Sequence, residues 1–227
     1  MRILIIGAGG VGSSAALIAA RRDFYEHIVI GDYDGDRAAA LVARIGDDRF
    51  SAIQIDASVA QAVAQACREH QITHVLNVVD PRFVMSIFEG AFLAGADYLD
   101  TAMSLSSAHP EKPHELTGVK LGDDQFAMAD AWEAKGRLAL VGIGVEPGMV
   151  DVFARYAADH LFSEIDELGV RDASDLVVHG YEFAPSFSIW TVIEECLNPP
   201  VIWEKDKGWY TTEPFSGAEV FDFPDGI

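Results

Sequence analysis

Residues 1–12, MRILIIGAGGVG, decide the architecture of this chain. Arg2 to Ile6 is a short run dominated by Ile and Leu. It is too continuous for a strand with one wet face and too short for a helix, which predicts a buried parallel strand. Gly7, Gly9 and Gly12 follow at G-x-G-x-x-G spacing, and Ala, Leu and Ile then recur at helical spacing from Val11 to Arg22. The order is strand, glycine turn, helix, which is the context the motif requires. Gly7 permits a tight turn, Gly9 lets a pyrophosphate approach the backbone without a Cβ in the way, and Gly12 allows the helix to pack closely on the strand. The N–H groups of the helix start, around Gly10 and Val11, then face the phosphates. A tight strand-to-helix turn with no ligand is the competing reading, and the context favours a dinucleotide.

Half of the 227 residues are hydrophobic, enough for a sizeable core. Thirty-six acidic residues stand against 16 basic ones, a formal charge of −20, with no run of Lys or Arg. Binding to nucleic acid or to an anionic membrane surface needs clustered cations, so neither partner is expected. Cys67 and Cys196 are far apart and form no C-x-x-C arrangement. Together with the absence of any apolar stretch near the ~20 residues of a membrane helix, they point to a reducing, cytoplasmic setting. His70 and His74 are four apart, but Thr73 and His74 begin a strand, so the pair shares no helical face and no metal is expected. A homo-oligomer is expected.

His27 to Gly31 reads as the second strand, with Asp32 at its end, twenty positions beyond Gly12. In a dinucleotide fold an acid there accepts hydrogen bonds from the adenosine ribose and repels a 2′-phosphate, which favours NAD. Arg37 is placed to reach a 2′-phosphate, so NADP stays open. Asp34 reads as the cap of a helix over Gly35 to Ile45. Phe50 to Ile55 is a third strand, Asp56 stands at its end where an adenine would lie, and Ser58 is expected to cap a helix over Val59 to His70. The fourth strand, Thr73 to Val79, ends near Asn77, Asp80 and Pro81. Asp80 is a natural N-cap, with Pro81 opening a helix over Arg82 to Ala94. Asn77, Asp80 and Pro81 also follow the strand at which a doubly wound sheet switches direction, beside a nicotinamide.

Asp97 to Thr101 is a fifth strand, followed by a long loop, Ala102 to Gly122, holding His109, Lys112 and His114; a covering lid and a plain solvated loop weigh equally. A helix over Asp123 to Lys135 and a sixth strand over Leu138 to Gly142 complete an alternation expected to give the sheet order 3-2-1-4-5-6. GIGVEPGM, residues 142–149, then packs three glycines and a proline into eight residues and reads as a hinge, with Pro147 opening a helix to Leu161. Beyond it an α+β pattern is expected: strands over Glu164–Asp172 and Leu176–Phe183, a helix over Trp190–Leu197, and short strands over Val201–Glu204, Trp209–Thr212 and Glu219–Phe223. Aromatic residues near Ser186, Ser188, Thr191, Glu194 and Glu195 suit a small cationic ligand, although for most of them an ordinary packed core is the favoured reading. The last residues, PDGI, signal a turn, and part of this second domain is expected to lie beyond them.

With these residues in view, the whole chain resembles the saccharopine dehydrogenase family, whose members include lysine dehydrogenases and carboxynorspermidine and homospermidine synthases. The marks are GAGGVG at 7–12, NVVDPRF at 77–83, AGADYLD at 94–100 and GIGVEPGMVDVFARY at 142–156. The resemblance implies an α/β chain: a Rossmann domain, here 1–145, then an α+β substrate domain of which 146–227 would be a truncated part. It implies hydride transfer between a nicotinamide cofactor, NAD or NADP, and a carbon–nitrogen bond of an amino-acid or polyamine derivative. Gly7, Gly9, Gly12 and Asp32 match the family's cofactor positions, and Asn77, Asp80 and Pro81 its nicotinamide-side turn. No motif fixes the catalytic acid or base; Glu146, Glu194, Glu195 and His109 are the candidates, since such a group needs a pKa near working pH. A non-catalytic nucleotide-binding scaffold or sensor that kept the first domain is the rival reading. A short-chain dehydrogenase is disfavoured, because none of the six tyrosines has a Lys four positions on.

Overall fold

The computed structural model describes residues 1–173, 177–182, 184 and 188–223. Six parallel strands form one sheet: β1 (Arg2–Ile6), β2 (His27–Asp32), β3 (Phe50–Gln54), β4 (His74–Asn77), β5 (Asp97–Asp100) and β6 (Ala139–Leu140). Their order is β3-β2-β1-β4-β5-β6, so the chain starts in the middle, winds outward to β3 and crosses back to β4. Register is continuous across the middle, with Leu4 beside Val29 on one side and beside Val75 on the other.

Alternation along these short strands explains why they read as unbroken apolar runs. Leu4, Ile6, Val29 and Val75 enter one core with Val63, Ile87, Phe88, Tyr98 and Trp132, whereas Ile5, Ile28 and Ile30 enter a second core with Ala16 and Leu41. Both faces of the sheet are therefore covered by helices, which is the condition for an all-parallel sheet. Helices α1 (Gly10–Ala19) and α2 (Gly35–Ile45) contribute to the second core, and α3 (Ala60–Glu69) and α4 (Val84–Ala94) to the first.

Local caps set the helix limits. The Asp34 carboxylate accepts hydrogen bonds from the N–H groups of Asp36 and Arg37 and starts α2. The Asp80 carboxylate accepts from the N–H of Arg82, but the residues it opens, Pro81–Phe83, form a 3-10 turn before α4. Ser58 does not cap α3; Val59 holds that position without a side-chain bond. The Asp56 carboxylate takes both the Ser58 N–H, at 3.0 Å, and its hydroxyl, at 2.6 Å, which occupies the would-be cap.

The helix expected over Asp123–Lys135 is two, α5 (Asp123–Phe126) and α6 (Ala129–Ala134). A tight turn, with Met128 N–H donating to the Gln125 carbonyl at 3.0 Å, separates them. Gln125 and Trp132 are buried, one from each piece. Helix α7 (Met149–His160) begins two residues later than Pro147, where the Met149 N–H reaches the Gly144 carbonyl at 3.0 Å.

The structure divides into two compact units, Met1–Leu105 with Leu121–Met149, and Ser106–Lys120 with Val150–Ile227. In the second, Ser107 bridges Val119 in antiparallel fashion, α8 (Ile189–Leu197) is capped by Ser188, and β7 (Val201–Glu204) pairs antiparallel with β8 (Gly208–Thr211). Thr211 is buried here and donates its hydroxyl to the Pro113 carbonyl at 2.8 Å. The strand expected over Glu164–Asp172 is absent: that segment is irregular and exposed. It carries four exposed acids, Glu164, Asp166, Glu167 and Asp172, and pairs with no strand among the described residues. Residues 177–182 and 219–223 are also without strand, and the rest of the Leu176–Phe183 expectation, Ser186 and the terminal PDGI lie outside the described residues. No helix among the described residues is long and apolar enough to cross a membrane.

Candidate functional site

The glycine turn sorts its glycines by what the fold itself demands. Gly7 has φ +111°, and a Cβ there would stand 2.8 Å from Val79 Cγ1. At Gly12 a Cβ would overlap the Gly7 carbonyl oxygen and lie 2.9 Å from its carbon. Both positions are therefore closed to any side chain by the chain's own packing. Gly9 and Gly10 are different: a Cβ at either meets nothing within 4 Å, and both are exposed. The fold does not need glycine there, and the space beside them is what an incoming group would fill. Helix α1 starts at this spot, with no side-chain cap and no acidic residue in its first turn. Its N-terminal N–H groups and dipole present a positive end suited to phosphate. Val11, exposed on the same turn, flanks it.

Asp32 closes the neighbouring wall. Its side chain is nearly buried, and both oxygens hold the turn: Oδ2 accepts from the Ala8 N–H at 2.8 Å and Oδ1 from the Asp34 N–H at 2.9 Å. Arg37 Nη1 stands 3.6 Å from Asp32 Oδ1, and Nη2 3.8 Å from Asp34 Oδ2, with the Arg37 side chain 57% exposed. The cluster thus carries two acids and one cation that remains open to solvent. Asp56 is exposed at the end of β3, and its hydrogen bonds from Ser58 hold its carboxyl below the usual carboxylate range.

At the other end of the carboxyl edge the structure turns Asn77 inward. Asn77 Oδ1 accepts from the Val79 N–H at 3.2 Å, and Nδ2 donates to Tyr98 Oη at 2.9 Å. Tyr98 Oη in turn donates to Asp100 Oδ2 at 2.9 Å. Asp100 is 1% exposed and also accepts from Gln125 Nε2, at 2.8 Å, and from the Gly142 N–H, at 2.6 Å. Gln125 Oε1 accepts from the Ser104 N–H at 2.8 Å. Burial pushes the Asp100 carboxyl up from its ordinary value, against the opposing pull of the Gly142, Gln125 and Tyr98 hydrogen bonds. Burial likewise raises the Tyr98 hydroxyl. Asn77 is among the residues the sequence places beside the nicotinamide, whereas Tyr98, Asp100 and Gln125 were not singled out by sequence reasoning. The available signal was the period of a strand: Tyr98 and Asp100 are two apart in β5, so an inward Tyr98 carries Asp100 inward with it.

Of the acid–base candidates, Glu146 belongs to the first unit, exposed on the Gly142–Gly148 turn, which closes through a Gly144–Gly148 bridge. His109, Glu194 and Glu195 belong to the second unit. His109 Nδ1 accepts from the N–H of Lys112 at 3.2 Å, so it organises its own loop. Glu194 and Glu195 lie on α8. Asp80 is bound by Arg82 Nε at 2.8 Å, and Pro81 opens the 3-10 turn.

Known proteins are similar to this chain in sequence and in fold. The chain is 31% identical to a carboxynorspermidine synthase of Vibrio cholerae serotype O1, over 99% of this chain and 55% of that protein. It is 27% identical to a carboxyaminopropylagmatine dehydrogenase of Synechocystis, over 98% of this chain and 54% of that protein. The chain therefore spans about half the length of the curated relatives it matches. Among solved structures, apo saccharopine dehydrogenase (L-Glu forming) from Saccharomyces cerevisiae shares the fold, with a TM-score of 0.54 and 17% identity over 70% of this chain and 31% of that one. The family model described as the saccharopine dehydrogenase NADP binding domain matches residues 3–140, so the cofactor of this fold is a nicotinamide dinucleotide. The chain belongs to the saccharopine dehydrogenase family, and its six-stranded sheet is that family's nucleotide-binding domain.

Proposed function

We propose that this protein is an oxidoreductase that moves a hydride between a nicotinamide dinucleotide and a carbon–nitrogen bond of an amino-acid or polyamine derivative. The observation that carries the reading is the carboxyl edge of the sheet. There, an open glycine pair at a helix start lies across the β1/β4 switch point from polar strand ends, in a chain of this family. When bound, the nicotinamide supplies or accepts the hydride. The chain's own residues do the rest. The backbone at Gly9, Gly10, Val11 and Gly12 holds the pyrophosphate, Asp32 fixes the ribose, and Asp56 borders the adenine. Asn77, Asp80 and Pro81 shape the nicotinamide side.

We take 1–145 as the nucleotide-binding domain and 146–227 as belonging to the substrate domain. An amine cation is drawn by the net charge of −20 and met by the exposed Glu146 carboxylate. In the reductive direction the imine nitrogen gains a proton as hydride adds to its carbon, and in the oxidative direction that proton leaves to a carboxylate or imidazole. Glu146, Glu194, Glu195 and His109 are the individual candidates for that exchange. The relatives named for carboxynorspermidine and carboxyaminopropylagmatine favour a carboxylated polyamine-type compound on the amine side of the reaction.

The test is the absorbance change at 340 nm produced by the protein as its gene encodes it, with NADPH or NADH plus aspartate semialdehyde and a diamine, lysine or glutamate, and with NADP+ or NAD+ plus saccharopine. Oxidation of the cofactor is expected only when aldehyde and amine are both present. Tight cofactor binding with no turnover on any pair would instead establish the scaffold or sensor reading.

A further inference from the structure

Asp100 is an acid in an expensive place. It is 1% exposed, and no cation among the described residues pairs with it. An uncompensated buried carboxylate is costly, and an apolar residue would end β5 more cheaply. A carboxylate offers what no neutral side chain can, four acceptor lone pairs and no donor. Here they take three donors from three elements. Gly142 N–H comes from the end of β6, Gln125 Nε2 from α5, and Tyr98 Oη from β5, with Asn77 of β4 behind it. The donor sense is fixed throughout: Asn77 Nδ2 gives to Tyr98 Oη, which leaves the Tyr98 proton for Asp100.

Each arm ends in a segment that borders the open edge. Asn77 also accepts from the Val79 N–H and so shapes the approach to Asp80 and Pro81. Gln125 also accepts from the Ser104 N–H and ties down the segment after β5. Gly142 begins the turn that carries Glu146. That turn leaves no slack, because a Cβ at Gly144 would stand 2.6 Å from the Thr101 carbonyl oxygen and one at Gly148 2.7 Å from the Gly142 carbonyl oxygen. Anchoring Gly142 therefore anchors the turn.

We propose that Asp100 is a positioning residue for the nicotinamide half of the cofactor site, its carboxylate holding the chain after β4, β5 and β6 as one floor. This rests on the cofactor reading given above. The adenosine half, built on Gly7–Gly12, Asp32 and Asp56, shares none of these hydrogen bonds.

The test compares two probes on the same protein. NADPH reports the whole site and, through its fluorescence, the surroundings of its nicotinamide; 2′-phospho-ADP-ribose reports the adenosine half alone. Asp100→Asn keeps the shape but sets an NH2 against donors from Tyr98 and Gln125. NADPH should bind at least tenfold more weakly and lose its fluorescence change, with 2′-phospho-ADP-ribose affinity within twofold of wild type. Unchanged NADPH binding, or equal weakening of both probes, overturns the proposal. Should Asp100→Asn fail to fold, Tyr98→Phe decides: it cuts only the Asn77 arm and should weaken NADPH about threefold and spare the other probe. A wild-type protein that binds neither these probes nor their counterparts without the 2′-phosphate, NADH and ADP-ribose, refutes the cofactor reading, and the Asp100 role falls with it.

Discussion

Replacing Gly9 and Gly12 by alanine, one at a time, separates binding from folding in the same turn. At Gly12 the new methyl overlaps the Gly7 carbonyl oxygen and lies 2.9 Å from its carbon, against an ordinary contact of about 3.5–4 Å between carbon atoms. The obstacle is backbone at the β1–α1 turn and cannot rotate away. Overpacking costs about 1–3 kcal/mol and more against a rigid neighbour, and helix propensity returns about 1 kcal/mol for Gly→Ala. A net loss of about 2 kcal/mol follows, or a fall in Tm of about 4–8 °C for a chain of this size.

At Gly9 nothing lies within 4 Å, and its φ of −74° and ψ of −160° suit alanine. Alanine is a poorer N-cap than glycine, but it also restricts the unfolded chain, and the two effects of about 0.5–1 kcal/mol each oppose. Tm should stay within about 2 °C of wild type. The methyl would stand where the pyrophosphate has to approach, and a tenfold or larger rise in Kd for NADPH is expected, about 1.4 kcal/mol. Calorimetric titration and a thermal scan on each variant read both quantities. Normal NADPH affinity in Gly9→Ala would refute the placement of the pyrophosphate, and a Gly12→Ala protein as stable as wild type would refute the packing argument.

Three further outcomes follow from single sites. Arg37→Ala should weaken NADPH several-fold and leave NADH unchanged, since this exposed guanidinium is the cation placed for a 2′-phosphate beside Asp32; equal effects on both would remove that role. Burial pushes the Cys67 thiol up to about 12, whereas Cys196 is exposed, so a thiol reagent at neutral pH should label one cysteine of the native protein rapidly and the second only on unfolding. Burial, then the Arg2 and His70 charges, lower the His27 pKa, so the unfolded chain binds this proton more readily than the native one. Stability from His27 is thus present above the ordinary imidazole value of about 6.5 and lost as pH falls from there toward the depressed value. His27→Gln should lose less Tm than wild type between pH 8 and 5.5, and an equal loss would contradict the sign.

The central sheet was legible because its strands are buried on both faces. Ile3–Ile6 and Ile28–Ile30 are unbroken apolar runs, Gly7 ends the first, and Asp34 and Asp80 cap the helical segments after β2 and β4 by local chemistry that a single sequence shows. The order of strands followed from alternation with helices. What escaped the sequence depends on contacts distant along the chain. Tyr98, Asp100 and Gln125 carry no motif of their own, and only the assembled sheet brings them within hydrogen-bond reach of one another and of Asn77. Glu164–Asp172 failed as a strand for the complementary reason, since local pattern cannot supply a neighbour to pair with. Asp32 was read correctly as the acid at the end of β2, but its bonds to the Ala8 and Asp34 N–H groups, and its Arg37 neighbour, add structural duties that spacing alone does not reveal.

The most direct measurement is a crystal structure of the protein with NADPH bound. Pyrophosphate oxygens are expected within hydrogen-bond distance of the Gly9–Gly10 backbone at the start of α1, the adenosine ribose beside Asp32, and the nicotinamide over the ends of β4 and β5 near Asn77 and Asp80. A dinucleotide seated away from the glycine turn, or with its nicotinamide on the β3 side of the sheet, would contradict this placement.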